Sequence, residues 1–168
     1  MTLLIVYLAI AIGVSFLCSI LEAVLLSMTP TFVERLAQDR PRAGAVVQRV
    51  RKRMDESLAS ILILNTFAHT MGAAGVGAQA LNVFGPEMET LVAVLLTLAI
   101  LYFSEIIPKT VGAIYWRSLA IPVAHAIVWL VRLTYPLVWV STRRTKIMGN
   151  KDMSTVTREE ILALASLG

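Results

Sequence analysis

The chain has 168 residues, of which 57% are hydrophobic and 15% are charged, whereas a soluble domain has about 45–50% apolar and about 25% charged residues. This composition indicates a single membrane domain. The net charge is +4, but the basic residues flank apolar runs and have no interleaved aromatic residues for base stacking, so nucleic-acid binding is not expected.

The first apolar segment covers about residues 2–28, and Glu22 is its one charged residue. A helix of this length crosses the roughly 30 Å of hydrocarbon in a bilayer, so we predict a first transmembrane helix here. The single cysteine, Cys18, lies in this segment and excludes a disulfide framework. Because no basic region precedes the segment, a cleaved signal peptide is not expected.

A basic and polar segment follows the first span. Thr29 and Pro30 are residues of the types that cap and begin a helix, and Asp39-Arg40-Pro41 predicts a break between two short helices. In the second helix the apolar residues lie opposite most of the arginines. These apolar residues are Val46, Val47, Val50 and Met54. We therefore predict a pair of helices on the membrane surface.

The second and third spans are predicted at about residues 58–84 and 90–116. The second span contains no charged residue. Its glycines, Gly72, Gly75 and Gly77, form a small-residue surface suited to close helix packing, so this surface and the third span are candidate dimer faces. By the positive-inside rule the basic loop between the first two spans is cytoplasmic, which places the N-terminus outside and the C-terminus in the cytoplasm.

The segment 119–140 admits two interpretations. It is long enough to span the bilayer, but it contains Pro122, Pro136 and aromatic residues of the kind that favour the interface. A fourth span would place the basic cluster at 143–146 outside, against the positive-inside rule. We therefore favour a kinked interfacial belt helix, and predict an all-α, multi-pass protein of the cell membrane with three transmembrane helices and juxtamembrane helices.

Residues 151–168 are more polar than the rest of the chain. Thr157-Arg158-Glu159-Glu160 matches a capping box, and the amphipathic helix predicted after it is too short to be stable alone. We therefore divide the chain into a transmembrane domain, residues 1–150, and the start of a cytosolic helical region of a longer protein, residues 151–168.

Polar side chains inside membrane spans are costly and indicate function. At 1.5 Å per residue, Ser19 lies about 13 Å and Asn65 about 12 Å from the cytoplasmic ends of their spans. Ser104 and Glu105 lie about 6–8 Å from the end of the third span. Pro108 lacks an N–H, so the Ser104 carbonyl loses its helical partner and must bond a cation, a serine hydroxyl or water.

Oxygen ligands of this kind suit Mg²⁺ or Ca²⁺. The predicted ligand set consists of the Ser19 hydroxyl, the Asn65 side-chain oxygen, the Glu105 carboxylate and the Ser104 carbonyl. Glu22 and His69 are candidates for the ion pathway.

Structural interpretations of the same residues stay open. The spacing of Glu105 and Lys109 equally favours an ion pair, and Pro108 is accounted for by a helix kink. Asn65 and Ser19 suit interhelical packing. His69 suits a core histidine, because hard cations prefer oxygen ligands, and Glu22 suits contact with polar headgroups.

Four segments of the chain carry recognisable motifs. FSEIIPKT at residues 103–110 resembles the third-helix motif of the cyclin M/CorC family of magnesium transporters, FGE-hydrophobic-hydrophobic-PK. LNTF at 64–67 is similar to the second-helix GN motif of that family. SILEAVLLS at 19–27 resembles its first-helix S-G-x-E-x-x-L pattern, and VERLAQD at 33–39 resembles the helix that follows. Within these motifs, Ser104 stands where glycine is usual.

The resemblance implies a homodimer of three-span subunits, with a belt-like helix after the third span. It also implies one Mg²⁺ site per subunit, open to the cytoplasm. Ser19, Asn65 and Glu105 match the ion-site positions, and Ser104 would contribute its backbone. Members usually continue into cytosolic CBS-type regulatory domains that bind nucleotides, and we expect such domains in a longer chain.

We interpret the chain as the membrane domain of a transporter that exports Mg²⁺, with Na⁺ as a candidate coupling ion and with membrane lipid and a second subunit as partners. The alternative is a membrane Mg²⁺ sensor or assembly subunit that binds the ion without moving it. Enzymatic activity is not expected, because the sequence has no GxSxG or HExxH motif. Ser19 with His69 would lack a third group to orient a hydrolase pair.

Overall fold

The computed structural model describes residues 2–149, with the side chains of residues 2–136, and the elements in this range are all helical. The predicted cytosolic region 151–168 lies outside the described residues. A 3-10 turn, Pro86–Met88, and a π-helical segment, Ile100–Ile106, flank the fifth α-helix. The α-helices are α1 Thr2–Ser27, α2 Pro30–Asp39, α3 Pro41–Lys52, α4 Met54–Phe84, α5 Glu89–Ala99 and α6 Ile107–Gly149.

Three helical stretches are long and apolar enough to cross a membrane, namely Thr2–Ser27, Met54–Phe84 and Pro86–Pro136. The predicted all-α class with three spans is therefore confirmed. The third stretch has 51 residues and would be about 77 Å long as one straight helix, more than twice the hydrocarbon thickness. It bends at Tyr115, whose φ of −97° and ψ of 15° depart from helical values. This bend separates the third span from the rest of α6.

The two short helices α2 and α3 form where the sequence predicts them. The Thr29 hydroxyl oxygen accepts a hydrogen bond from the Phe32 N–H at 3.4 Å, which caps the start of α2, and Arg40 separates α2 from α3. The buried residues of α3 include Val47 and Val50, whereas Arg49 is exposed. The Arg51 guanidinium donates to the Leu25 carbonyl at 3.4 Å, and this bond holds α3 against the end of α1.

The part of α6 that follows the bend, residues 116–149, packs against α1 and α3 where its side chains are described. Its buried apolar residues share one cluster with Val24, Leu25, Val47 and Val50, and they are Ala120, Val123, Ala124, Ile127 and Leu130. Because α3 is basic and amphipathic, we expect it and the helix beside it to lie near the membrane surface. This packing favours the interfacial placement of residues 119–140 over a fourth span.

Two of the three glycines of α4 lie against α1. A Cβ added at Gly72 would overlap the Cβ of Ala11, and one at Gly75 would lie 2.6 Å from the ring of Tyr7. Gly77, in contrast, has no atom within 4 Å of such a position. Gly72 and Gly75 therefore allow close contact between α4 and α1. Of the two candidate dimer faces, the third span is the more open, because α5 contains no buried residue.

Substitution of Gly72 by alanine is expected to lower the stability of the protein by about 1–3 kcal/mol, since the new methyl group overlaps Ala11 in a packed interface. Gly77→Ala is the matched control: it adds the same methyl group to the same helix in open space, and alanine is the better helix former. Thermal unfolding of the detergent-purified variants, followed by circular dichroism, measures both effects. Equal shifts for the two variants would contradict the α1–α4 contact.

Candidate cation site

The site is organised around a hydrogen bond between α1 and the π-helical segment. The hydroxyl of Ser19 donates to the backbone carbonyl of Ser104 at 2.7 Å, and both residues are fully buried. The sequence predicts that this carbonyl bonds a cation, a serine hydroxyl or water, and in the structure its partner is a serine hydroxyl. The hydroxyl of Ser104 itself donates to the Ile100 carbonyl at 2.7 Å, which leaves the Ser104 side chain occupied within its own helix.

The backbone hydrogen-bonding pattern changes next to the Ser104 carbonyl. In the π-helical segment the hydrogen bonds span five residues, as in the bond from the Ile107 N–H to the Tyr102 carbonyl. Pro108 follows directly and has no N–H with which to continue the helical pattern. Pro108 is also fully buried. Single π-helical turns within longer helices occur frequently at functional sites.

The Glu105 carboxylate lies at the centre of the polar contacts. The Asn65 amide nitrogen donates to Glu105 Oε1 at 3.3 Å, and the His69 Nε2 lies 3.7 Å from the same oxygen. Lys109 Nζ lies 3.0 Å from Glu105 Oε2. Three side chains from two helices therefore surround one carboxylate.

Lys109 connects Glu105 to a second carboxylate on α1. Its ammonium group lies 3.2 Å from Glu22 Oε2, in addition to its contact with Glu105. Its side chain is 43% exposed, against 22% for Glu105. The ammonium therefore lies at the more open side of the site, between the two carboxylates.

Ser15 and His69 form a further contact between α1 and α4. The Ser15 hydroxyl and His69 Nε2 share a hydrogen bond, and Ser15 is fully buried. This bond orients the imidazole beside Glu105. His69 is thus a hydrogen-bonded interior histidine that also adjoins the central carboxylate.

The Asn65 side-chain oxygen has a different environment from its nitrogen. Asn65 Oδ1 is buried and has no hydrogen-bond partner among the described residues. A buried acceptor without a partner costs about 1–3 kcal/mol, and the cost is higher where no water is available. A cation that binds beside Glu105 would remove this cost.

The chemistry of the donor atoms points to a hard cation. Hydroxyl, amide and carboxylate oxygens are the ligands that Mg²⁺ and Ca²⁺ prefer, and they suit Zn²⁺ and copper poorly. No group of three or more His, Cys, Asp or Glu side chains within residues 2–136 is arranged to hold a metal ion. A cation here would therefore depend on neutral oxygens together with Glu105.

The predicted site residues come together in one region of the fold. Ser19 contacts Ser104, Asn65 and His69 contact Glu105, and Glu22 joins through Lys109. The sequence predicts Lys109 only as a partner of Glu105, and Ser15 is not among the predicted site residues. The signal for Ser15 was its position four residues before Ser19, which places both hydroxyls on one helix face.

The fold and the site define a multi-pass helical membrane protein with a cluster of polar side chains between its spans. The chain matches the family described as Cyclin M transmembrane N-terminal domain over residues 5–168, and it therefore belongs to that family.

Several relatives share the same segment. A UPF0053 protein of Synechocystis sp. is 32% identical over 92% of this chain and 45% of its own length. A chloroplastic DUF21 domain-containing protein of Arabidopsis thaliana is 30% identical over 92% of this chain and 24% of its own length. The UPF0053 inner membrane protein YfjD of Escherichia coli is 24% identical over 69% of this chain and 27% of its own length. The chain thus spans less than half the length of these relatives.

Substitution of Ser19 by alanine is expected to lower stability by about 1–3 kcal/mol, because it leaves the buried Ser104 carbonyl without its partner. Ser60→Ala is a matched control. Ser60 is equally buried, but its hydroxyl bonds the Glu56 carbonyl within the same helix at 2.7 Å, so less than about 1 kcal/mol should be lost. Thermal unfolding in detergent compares the two, and a smaller loss for Ser19→Ala than for Ser60→Ala would contradict the assigned role.

Proposed function

We propose that the chain is the membrane domain of a magnesium transporter in which Mg²⁺ binds between α1, α4 and the π-helical segment. The observation that carries this proposal is the buried Asn65 Oδ1, which has no partner among the described residues while the amide of the same side chain contacts Glu105. Membership of the cyclin M family supports the same function, through the resemblance of its motifs to those of magnesium transporters.

The proposed ligands are Asn65 Oδ1, the Glu105 carboxylate, the Ser19 hydroxyl oxygen and the Ser104 carbonyl. The hydrogen bond between Ser19 and Ser104 does not use up their capacity to bind a cation. A hydroxyl that donates its proton keeps two lone pairs, and a carbonyl oxygen has two lone pairs of which this bond uses one. Because Mg²⁺ gives up water reluctantly, the ion is expected to keep part of its hydration shell.

Lys109 acts as a competing cation in this mechanism. Its ammonium group contacts Glu105 at 3.0 Å and Glu22 at 3.2 Å. A divalent ion at Glu105 would repel an ammonium group at this distance, and the repulsion is strong where the local dielectric constant is low. Glu22 then retains Lys109 while Glu105 turns to the ion. Binding and release of Mg²⁺ would thus be coupled to the position of one lysine.

The proposal also includes the membrane topology, the direction of transport, the coupling ion and the assembly of the protein. The positive-inside rule supports a cytoplasmic loop at α2 and α3, an external N-terminus and a C-terminus on the cytoplasmic side. Mg²⁺ would enter from the cytoplasm and leave outside by alternating access, with Na⁺ as the coupling ion. A homodimer would form through the third span, and CBS-type domains of a longer protein would regulate it.

Asn65→Ala and Glu105→Ala are each expected to lower Mg²⁺ flux in proteoliposomes about tenfold or more, because each removes a group that binds or orients the ion. Both variants should also lose the stabilisation that Mg²⁺ gives to the protein. Thr66→Ala is the control, since Thr66 is the neighbour of Asn65 on the same helix but is exposed. Flux with imposed Na⁺ gradients of either direction tests export and coupling.

Mg²⁺ flux and Mg²⁺-dependent stability together distinguish a transporter from a sensor or assembly subunit. If Mg²⁺ stabilises the wild type but no flux appears, even in a longer chain, the protein is an Mg²⁺ sensor or assembly subunit. If Mg²⁺ neither stabilises the protein nor crosses the membrane, the polar cluster is structural and the proposed site is wrong.

Lys109→Met is expected to raise the apparent affinity for Mg²⁺ about tenfold, because it removes the positive charge that competes for Glu105. Lys109→Arg keeps the charge and should leave the affinity near that of the wild type. The Mg²⁺ concentration at half-maximal thermal stabilisation measures the affinity. A loss of affinity in Lys109→Met, similar to that in Glu105→Ala, would overturn the competing role of Lys109.

A further inference from the structure

A groove lies between α3 and the part of α6 that follows the bend at Tyr115. It has a volume of about 330 Å³, and Val50, Val128 and Val131 form its apolar floor. Val50 is buried, and the other two valines are partly buried against the main apolar cluster. The groove is separate from the cation site, because its lining includes none of the residues of that site.

The rim of the groove is basic. Arg49, Arg53 and Arg132 line it, together with one carboxylate, that of Glu56. Arg53 is paired with Glu56 at 3.4 Å, so most of the attraction for an anion comes from the other two guanidinium groups. Arg49 and Arg132 are exposed, and neither is in an ion pair with a carboxylate among the described side chains. They belong to different helices and face the same groove.

The residues around the groove indicate that it lies at the level of the membrane surface. Arg53 and Glu56 precede the apolar part of α4, which begins at about residue 58. On the other side of the groove, Tyr135 lines the rim and is 61% exposed, and Trp129, which follows Val128 in the sequence, is 66% exposed. Exposed tyrosine and tryptophan side chains at this level are typical of the boundary between headgroups and hydrocarbon.

We propose that this groove binds an anionic phospholipid. The phosphate would lie between Arg49 and Arg132, where the planar guanidinium groups can donate paired hydrogen bonds to its oxygens. The first part of an acyl chain would cover the floor formed by Val128 and Val131. Basic pockets beside membrane helices suit anionic headgroups for the same reason. A soluble anion would satisfy the arginines but would leave the apolar floor in water, so the groove fits a lipid better.

The bound lipid would join α3 to α6 without adding a protein contact, since one guanidinium group comes from each helix. This binding is independent of the cation site and adds a ligand to the proposed function. The bound lipid would stabilise the folded protein by mass action, because the groove exists only in the folded state.

The test uses the purified chain in neutral detergent, titrated with phosphatidylglycerol, with phosphatidylcholine of the same chain length and with inorganic phosphate. Native mass spectrometry counts bound lipid, and the thermal midpoint reports the stabilisation. Arg49→Gln and Arg132→Gln should each weaken phosphatidylglycerol binding about fivefold, and both together about 25-fold. Arg42→Gln is the matched control, because it removes the same charge from the same helix outside the groove, and it should change binding less than about twofold.

Three results would overturn the proposal. Equal binding of phosphatidylglycerol and phosphatidylcholine would show that the arginines are not used. An equal loss in Arg42→Gln would show a general effect of surface charge. Binding of inorganic phosphate as tight as that of phosphatidylglycerol would identify a soluble anion as the ligand. Because the substituted arginines are exposed, the variants should fold, and circular dichroism verifies this. Arg132→Lys keeps the charge but loses the paired hydrogen bonds, so it should weaken binding less than Arg132→Gln does.

Discussion

A backbone carbonyl inside a bilayer must find its partner within the protein, because no water is available in the hydrocarbon. The Ser104 carbonyl meets this constraint by accepting the Ser19 hydroxyl of α1. A bond of this length requires close approach of the two helices, and the small buried side chains along α1 permit it. Once α1 and the π-helical segment are in contact, Glu105 faces Asn65 of α4. The arrangement of the three spans around the polar cluster follows from this bond.

Charge is nearly balanced within the cluster. Glu22 and Glu105 contribute two negative charges and Lys109 one positive charge, which leaves one net negative charge when His69 is neutral. An unbalanced charge is costly inside a membrane. The single lysine reduces the cost without cancelling it, so the cluster is both tolerable in the bilayer and attractive to a positive ion.

The packing of the chain reflects a protein whose outer solvent is lipid. Large apolar side chains such as Leu98 and Phe103 are exposed, whereas serines such as Ser15 are fully buried. In water this distribution would be unstable, but in a bilayer the apolar surface gains nothing from burial, and small and polar residues hold the helices together. The proposed lipid groove between α3 and α6 is also adapted to a lipid environment, because its arginine side chains would face negatively charged headgroups.

The amino-acid sequence alone predicted most of the local structure. Apolar length predicted the three spans, Thr29 and Pro30 predicted the start of α2, and the position of Pro108 predicted a carbonyl in need of a partner. These features depend on residues close together in the chain, as do spacings of three or four residues along a helix.

Only the tertiary structure decided which side chains meet. The contact of Ser15 with His69, the second carboxylate on Lys109, the use of Gly72 against Ala11 and the packing of α6 on α3 all depend on how each helix is rotated about its own axis. Apolar periodicity sets this rotation for a helix in water, but it does so weakly in lipid, because the outer face of a membrane helix is as apolar as the inner one. The rotation is therefore set by the polar and small-residue contacts themselves, which exist only once the helices have assembled.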